Sequence, residues 1–234
     1  MSAVMTTSCI EDKEDETTIG VELISTLQHL DSGELIAYVD GGGTARMTAS
    51  SVANIEQKAG KSLSDVERAI VYCSYDPSYA VQDTLGFIHA TQATLTGVVS
   101  IPVDSVLYAS EAADSTAIAQ ALDPDSLDVI NCINNLYFFG GYMNIDYTAV
   151  CYPNVAPAAT VINDSVKENK AYFTLCFNDH NAGSYQSQNY YLYSYRLDDI
   201  SIPGNDSIQM FLSTQGLKQV SVRIARSDLK KLTY

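Results

Sequence analysis

Basic residues, histidines, cysteines and long apolar runs are all scarce in this sequence. It has 13 Lys and Arg against 28 Asp and Glu, a formal net charge of −15. Because phosphate contacts need clustered Lys and Arg, this balance argues against nucleic acid as a partner. No apolar run approaches the roughly 18 residues of a spanning helix, so a membrane would hold the chain through lipid or not at all.

Signatures of hydrolytic enzymes are missing too. There is no Gly-x-Ser-x-Gly elbow and no His-Glu-x-x-His motif. A hydrolase would need His29, His89 or His180 beside a nucleophile and an acid, a proximity that only the folded chain can create. The sequence therefore favours surface or core histidines, and we expect no catalytic residue and no cofactor. A secreted hydrolase is the least favoured alternative.

Metal sites find little support in the spacing of possible ligands. No two of the five cysteines form a Cys-x-x-Cys pair, which argues against a zinc ribbon or a thioredoxin-type site. The acidic segment Asp123–Asp128 lacks the glycine at position six and the Glu at position twelve of a calcium-binding EF-hand loop, so a surface turn is expected there. We expect no metal.

Four of the cysteines lie inside apolar segments, as small buried hydrophobic residues do. They are Cys73, Cys132, Cys151 and Cys176. One disulfide among them is possible in an exported protein, and the sequence cannot choose the pair.

The fifth cysteine stands in a different context. Small residues precede it in Thr6-Thr7-Ser8-Cys9, and the acidic run Ile10–Glu16 follows. A bacterial lipoprotein has this appearance at its processing site, so Cys9 is the predicted lipid attachment and residues 1–19 the predicted tail and tether. Only eight residues precede Cys9, too few for a full signal. Either the chain as given lacks the start of its signal, or Cys9 is an ordinary residue of a tail.

Residues 20–98 are predicted to form an OB-fold barrel. The glycine cluster Gly41-Gly42-Gly43 favours a hairpin turn, and Ser50–Val66 favours a helix. Strand-like alternation covers Gly20–Leu27, Gly33–Asp40, Thr44–Thr48, Glu67–Tyr75 and Thr84–Val99. Three strands, a helix and two more strands is the order of an OB-fold, although a β-meander would look similar.

Residues 99–234 are predicted to form an antiparallel β-sandwich. Asp114-Ser115 predicts the start of a short helix that runs through Leu122. Phe173, Leu175 and Phe177 share one strand face and are predicted core. The expected strands are Asp128–Phe139, Gly141–Tyr152, Lys170–Asn178, Asn189–Asp198, Ser207–Ser213 and Gln219–Arg226. About six or seven strands in this length is typical of a β-sandwich, and the whole chain is predicted all-β for the most part.

Three segments carry a family resemblance. They are Arg68–Tyr75, Gly141–Thr148 and Val220–Ile224, and with their surroundings they resemble the NigD-like proteins of Bacteroidota. The resemblance covers most of the chain from about Gly20. It implies a lipoprotein with an N-terminal OB domain and a C-terminal β-sandwich, and it implies no established enzymatic role.

A tyrosine-rich strand is the most unusual cluster. Tyr191, Tyr193 and Tyr195 share one face, and Tyr190 lies on the other. A row of tyrosines can stack on sugar rings or dock a protein, and it can equally line a sandwich core. The core or rim is favoured over a binding strip.

These observations predict a non-enzymatic, lipid-anchored protein of the outer membrane that faces the cell surface and acts through contact with an envelope protein or a glycan. The acidic run after Cys9 resembles export signals of surface lipoproteins in Bacteroidota. The alternative is a carbohydrate-binding module that uses the face of Tyr191, Tyr193 and Tyr195.

Overall fold

The computed structural model describes residues 18–122, 130–151, 158–178, 187–197, 207–214 and 220–225. The chain divides into two compact units, one ending at Ile101 and the other beginning at Pro102. The boundary predicted between residues 98 and 99 lies close to this division, and the independence of the two domains stays a prediction. The all-β prediction is confirmed, with a closed barrel in the first unit and further sheets in the second.

Five strands of the first unit close into a barrel, and a sixth extends it. The elements are β1 (Ile19–His29), β2 (Leu35–Val39), β3 (Thr44–Met47), α1 (Ala49–Ala59), β4 (Arg68–Tyr75), β5 (Ala80–Gln82) and β6 (Ile88–Ser100). Their order is β3-β2-β1-β4-β6-β5, and β3 also pairs with β6 in parallel. The OB order predicted from the sequence is confirmed. The strand predicted at Thr84–Val99 begins too early, because residues 83–87 form a turn before β6.

Alternation along β4 shows why the barrel forms. Its inward side chains are buried and its outward ones are less so, as period two requires. The buried set is Ala69, Val71, Cys73 and Tyr75. They pack with Leu35, Ala37 and Met47 from the neighbouring meander in a single core cluster. Removal of this apolar surface from water is the main force that closes the barrel.

A buried ion pair joins elements of the barrel. The Arg68 side chain is fully buried, and Asp40, which follows β2, is 8% exposed. Arg68 Nη1 donates to Asp40 Oδ1 at 2.6 Å and to Thr26 Oγ1 at 3.0 Å, and Nη2 donates to Asp40 Oδ2 at 2.5 Å. The fork-shaped guanidinium thus holds β1, β4 and the end of β2 together.

The described residues of the second unit form two sheets. Its elements are β7 (Val103–Ser105), β8 (Leu107–Tyr108), α2 (Ser115–Ala121), β9 (Ile130–Phe139), β10 (Tyr142–Cys151), β11 (Ala158–Lys167), β12 (Lys170–Asn178), β13 (Ser187–Arg196), β14 (Ser207–Thr214) and β15 (Val220–Ala225). One sheet has the order β7-β13-β10-β9 and the other β15-β14-β12-β11-β8. The predicted core residues Phe173, Leu175 and Phe177 are buried between neighbours from both sheets.

Not all pairings in this unit are antiparallel, although the sequence predicted them to be. β12 pairs with β14, β13 with β7, and β11 with β8, all in parallel. β12 and β14 are parallel because β13, which lies between them in the chain, belongs to the other sheet. The chain leaves the sheet after β12 and returns to it as β14, running in the same direction.

Strand β11 was missed by the sequence analysis because its alternation is broken. Val161 and Ile162 are adjacent and both buried, and a register shift separates Asn163 from Ser165. The extra residue of a bulge moves later side chains to the opposite face.

Helix α2 confirms the predicted helix, but Asp114 does not cap it through its side chain. Asp114 Oδ2 instead accepts the backbone N–H of Tyr108 at 2.7 Å. The carboxylate therefore ties strand β8 to the start of the helix.

Candidate functional site

The tyrosine row of β13 faces the core of the second unit. Tyr195 is completely buried, and its hydroxyl donates to the carbonyl of Ala159 at 3.2 Å. Tyr191 and Tyr193 are partly buried and pack against the same core cluster. Their rings are tilted by 54° to each other rather than coplanar. These positions match the packing alternative for Tyr191, Tyr193 and Tyr195, whereas Tyr190 on the opposite face is 62% exposed.

Three of the features considered in the sequence lie outside the described residues. These are Cys9, His180 and the acidic segment Asp123–Asp128. Cys73 and Cys176 are free, buried thiols, as a small apolar residue in a strand would be. The side chains of the other two predicted core cysteines are not described, so their pairing stays open.

His89 is the one histidine that the described structure brings into a polar cluster. Its Nδ1 lies 3.0 Å from Thr44 Oγ1, and its Nε2 lies 3.3 Å from Asp83 Oδ2. Thr44 and His89 are directly opposite in the parallel pairing of β3 with β6. His29, in contrast, is exposed at the end of β1. The cluster joins the turn before β6 to strand β3.

That turn belongs to an exposed hairpin, which we define as residues 77–87. Asp83 organises it, because Asp83 Oδ1 accepts the backbone N–H groups of Leu85 and Phe87, both at 2.9 Å. The hydrogen bond from Phe87 is the main reason that the pKa of Asp83 lies below its usual value. Gln82 Nε2 donates to the carbonyl of Gly86 at 2.9 Å and closes the turn from the other side.

The start of the exposed hairpin is fixed in the same way. Asp76 Oδ1 accepts the backbone N–H of Ser78 at 2.7 Å, and this hydrogen bond is the main cause that lowers the pKa of Asp76. Pro77 at the first position of the short 3-10 turn presets the backbone angle. Both carboxylates are therefore anionic at neutral pH.

The ring of Phe87 packs the exposed hairpin onto the turn between β2 and β3. Gly42 has a φ of +124°, and a Cβ there would lie 2.5 Å from the ring. A Cβ on Gly43 would lie 2.5 Å from the carbonyl oxygen of Ile88. The glycine cluster, predicted as a hairpin turn, thus also provides the room in which the hairpin docks.

Three apolar side chains of the exposed hairpin project into solvent. Tyr79 is 46% exposed, Val81 is 64% exposed and Leu85 is 77% exposed. A rigid hydrogen-bonded hairpin that displays apolar side chains has the composition of a binding surface rather than of a core element.

The charged residues in the segment that contains this hairpin are of one sign. Residues 69–101 contain Asp76 and Asp83 but no Lys or Arg. The strand predicted over Thr84–Val99 includes the turn, so the sequence pattern does not predict the hairpin. The signal that could have revealed it was the turn chemistry of Asp83 followed by Gly86.

The part of the chain that the structure describes supports neither a metal site nor a membrane-spanning helix. It contains no group of three or more His, Cys, Asp or Glu side chains arranged to hold a metal ion. Neither of its helices has the length and apolarity to cross a membrane.

Comparison with known proteins gives the fold a context. No protein-family model and no curated protein matches the chain. The solved structures that resemble it include three whose descriptions name no enzyme. A protein described as toxin-related from Parabacteroides distasonis has 13% identity and a TM-score of 0.60, covering 89% of this chain and 95% of its own. A NigD-like immunity protein from Bacteroides caccae has 12% identity and a TM-score of 0.53, covering 88% and 91%.

The third is a protein of unknown function, DUF1344, from Bacteroides vulgatus, with 13% identity and a TM-score of 0.52, covering 92% and 96%. At such low identity the similarity concerns the fold. The resemblance to NigD-like proteins is confirmed at that level.

Proposed function

We propose that this chain is a non-enzymatic binding protein, lipid-anchored through Cys9 at the outer membrane, that contacts another envelope protein through its exposed hairpin (residues 77–87). The observation that carries the proposal is the exposure of Tyr79, Val81 and Leu85 on a hairpin fixed by hydrogen bonds at both ends.

The energetics favour binding at this place. Full burial of a Leu or Val side chain contributes roughly 1.5–3 kcal/mol. The hydrogen bonds of Asp76 and Asp83 already order the backbone, so little conformational entropy is lost when a partner covers the hairpin. A preorganised apolar tip therefore retains most of the free energy gained by its burial.

The charges define the partner's surface. Asp76 precedes the hairpin, Asp83 lies in its turn, and no Lys or Arg occurs in residues 69–101. Complementary charge across an interface steers association and excludes wrong partners. We expect an apolar pocket with a basic rim.

The similar structures are consistent with a role exerted on another protein. One is described as an immunity protein and another as toxin-related. Neither description implies the turnover of a small substrate.

The hairpin is tested by photo-crosslinking. A benzophenone amino acid at Leu85, in cells that express the full chain, should give a defined adduct with one envelope protein. The matched control is the same probe at Leu122, an exposed leucine at the end of α2. With the purified partner, Leu85→Ala should weaken binding by about 1–2 kcal/mol. Equal adducts at both positions, or none at Leu85, would reject the hairpin as the binding surface.

The anchor is tested separately. If a full signal precedes Cys9 in the native gene, the protein should incorporate labelled palmitate and partition into detergent, and Cys9→Ala should abolish both. One acyl chain binds a membrane only marginally, so stable anchoring requires the two or three chains of a lipoprotein. Protease added to intact cells should degrade the anchored protein if it faces outward. Release of unlabelled wild-type protein into the medium would contradict the anchor.

A hydrolase is the second candidate, because the fold brings Thr44, His89 and Asp83 together as hydroxyl, imidazole and carboxylate. We favour a structural role, since Asp83 is also engaged in the hairpin turn. A fluorophosphonate probe decides between them. A structural cluster gives no adduct at Thr44, whereas labelling that is lost in Thr44→Val would establish a nucleophile.

A further inference from the structure

We propose that the outer face of the sheet β7-β13-β10-β9 binds a neutral sugar ring, which stacks on Tyr190 and bonds to Asp146, Asn134 and Thr148. This site lies in the second unit and goes beyond the protein contact proposed for the exposed hairpin. It also lies on the face of β13 opposite to Tyr191, Tyr193 and Tyr195.

Strand register brings the four side chains together. Tyr190 of β13 lies directly opposite Thr148 of β10, and Asp146 lies two residues before Thr148 on the same face. On the other side of β10, the pairing with β9 shifts between Asp146 and Tyr147. Asn134 is the additional residue at that shift. Three strands thus contribute to one cluster.

Hydrogen bonds hold the cluster in place. Asn134 Nδ2 donates to Asp146 Oδ1 at 2.9 Å and to Thr148 Oγ1 at 3.0 Å. The Tyr190 hydroxyl also interacts with the Asp146 carboxylate. Burial, followed by this interaction, raises the pKa of Tyr190 to about 12, so the phenol stays protonated at neutral pH. The polar groups are therefore oriented before any ligand arrives.

Tyr190 is exposed, as stacking on a sugar ring requires. The residue is 62% exposed even though its hydroxyl is engaged. A tyrosine ring is amphipathic, and its face can cover the apolar C–H face of a pyranose. Within the described residues, β7 pairs with β13 only at Ser194–Arg196, so it does not extend to Tyr190.

The hydrogen-bonding capacity left in the cluster suits sugar hydroxyl groups. A carboxylate offers about four acceptor sites, and the bonds from Asn134 and Tyr190 leave some of them for a ligand. The Thr148 hydroxyl can also donate. Since a carboxylate lies at the centre of the cluster and the chain has a net charge of −15, anionic glycans are repelled. A neutral oligosaccharide is the ligand class that fits.

Affinity electrophoresis of the full chain tests the proposal. Native gels that contain a neutral polysaccharide (mannan, xyloglucan or a mixed-linkage β-glucan) should retard the wild-type chain, whereas a gel with polygalacturonate should not. Tyr190→Ala should reduce the affinity at least tenfold, and Asp146→Asn should weaken it about fivefold or more. Tyr190→Phe keeps the ring and should retain part of the binding.

The matched control is Tyr72→Ala, which removes an exposed tyrosine from the first unit and should leave the retardation unchanged. Thermal melts of all variants verify folding, and the exposure of Tyr190 makes its replacement benign. Absence of retardation in every neutral gel would overturn the proposal. So would equal retardation of wild type and Tyr190→Ala, or retardation by polygalacturonate alone. None of these results bears on crosslinking at Leu85.

Discussion

Removal of one partner of the Arg68–Asp40 ion pair should destabilise the barrel of the first unit severely. Arg68 is fully buried, and its guanidinium donates to both oxygens of Asp40. Two unit charges about 4 Å apart attract each other by about 4 kcal/mol at an effective dielectric constant of 20. Asp40→Asn abolishes this attraction and removes a carboxylate partner of a buried cation, a change that costs about 3–5 kcal/mol. A domain of this size is stabilised by only about 5–15 kcal/mol in total.

The double variant separates the attraction from the cost of burying charge. Asp40→Asn with Arg68→Met leaves no buried charge, and methionine covers part of the volume of the arginine stem. We therefore expect the double variant to be more stable than Asp40→Asn alone. If the loss of stability in the double variant equals the sum of the losses in Asp40→Asn and Arg68→Met alone, the buried ion pair is not the source of the effect.

Hydrogen exchange read by mass spectrometry is the suitable assay, because the chain has no tryptophan to report on one unit selectively. The free energy of exchange should fall by the stated amount for the amides of β1 and β4. Amides of β12, in the second unit, provide the internal control. A loss below about 1 kcal/mol in β4, or an equal loss in β12, would refute the reasoning.

Three further predictions address the second unit, the thiols and the domain boundary. In thermal melts, Tyr195→Ala should lose about 3–5 kcal/mol of stability, and Tyr195→Phe about 1 kcal/mol because its hydrogen bond is lost. Tyr190→Ala should change the stability by less than about 0.5 kcal/mol. Equal melting temperatures for Tyr195→Ala and Tyr190→Ala would contradict the assignment of Tyr195 to the core. Burial raises the pKa of Cys73 and of Cys176 from about 9 to about 11. Both should resist iodoacetamide at pH 8 until the chain unfolds. Since a raised pKa favours the protonated thiol in the native state, stability should fall as pH rises from about 9 through 11. Limited proteolysis should cut between about residues 99 and 125 before it cuts either unit, and one protected fragment spanning both would contradict two independent domains.

The sequence by itself determined the local features. Alternating apolar residues in Phe173, Leu175 and Phe177 fixed a strand and its buried face, since the side-chain period of a strand is two. The glycine cluster at 41–43 and the helix after β3 followed from backbone preferences of single residues. These features depend on neighbours in the chain, so the order of elements in the barrel could be read directly.

Which residues meet across strands was decided only by the tertiary structure. The parallel pairing of β12 with β14 depends on the excursion of β13 into the other sheet. The bulge that aligns Asn134 with Asp146 leaves no mark in the local pattern, and only the fold places Phe87 of the exposed hairpin on the turn at Gly42. Register is set by contacts between residues far apart in sequence, and a shift of one residue would turn Tyr190 into the core and Tyr191 out to solvent.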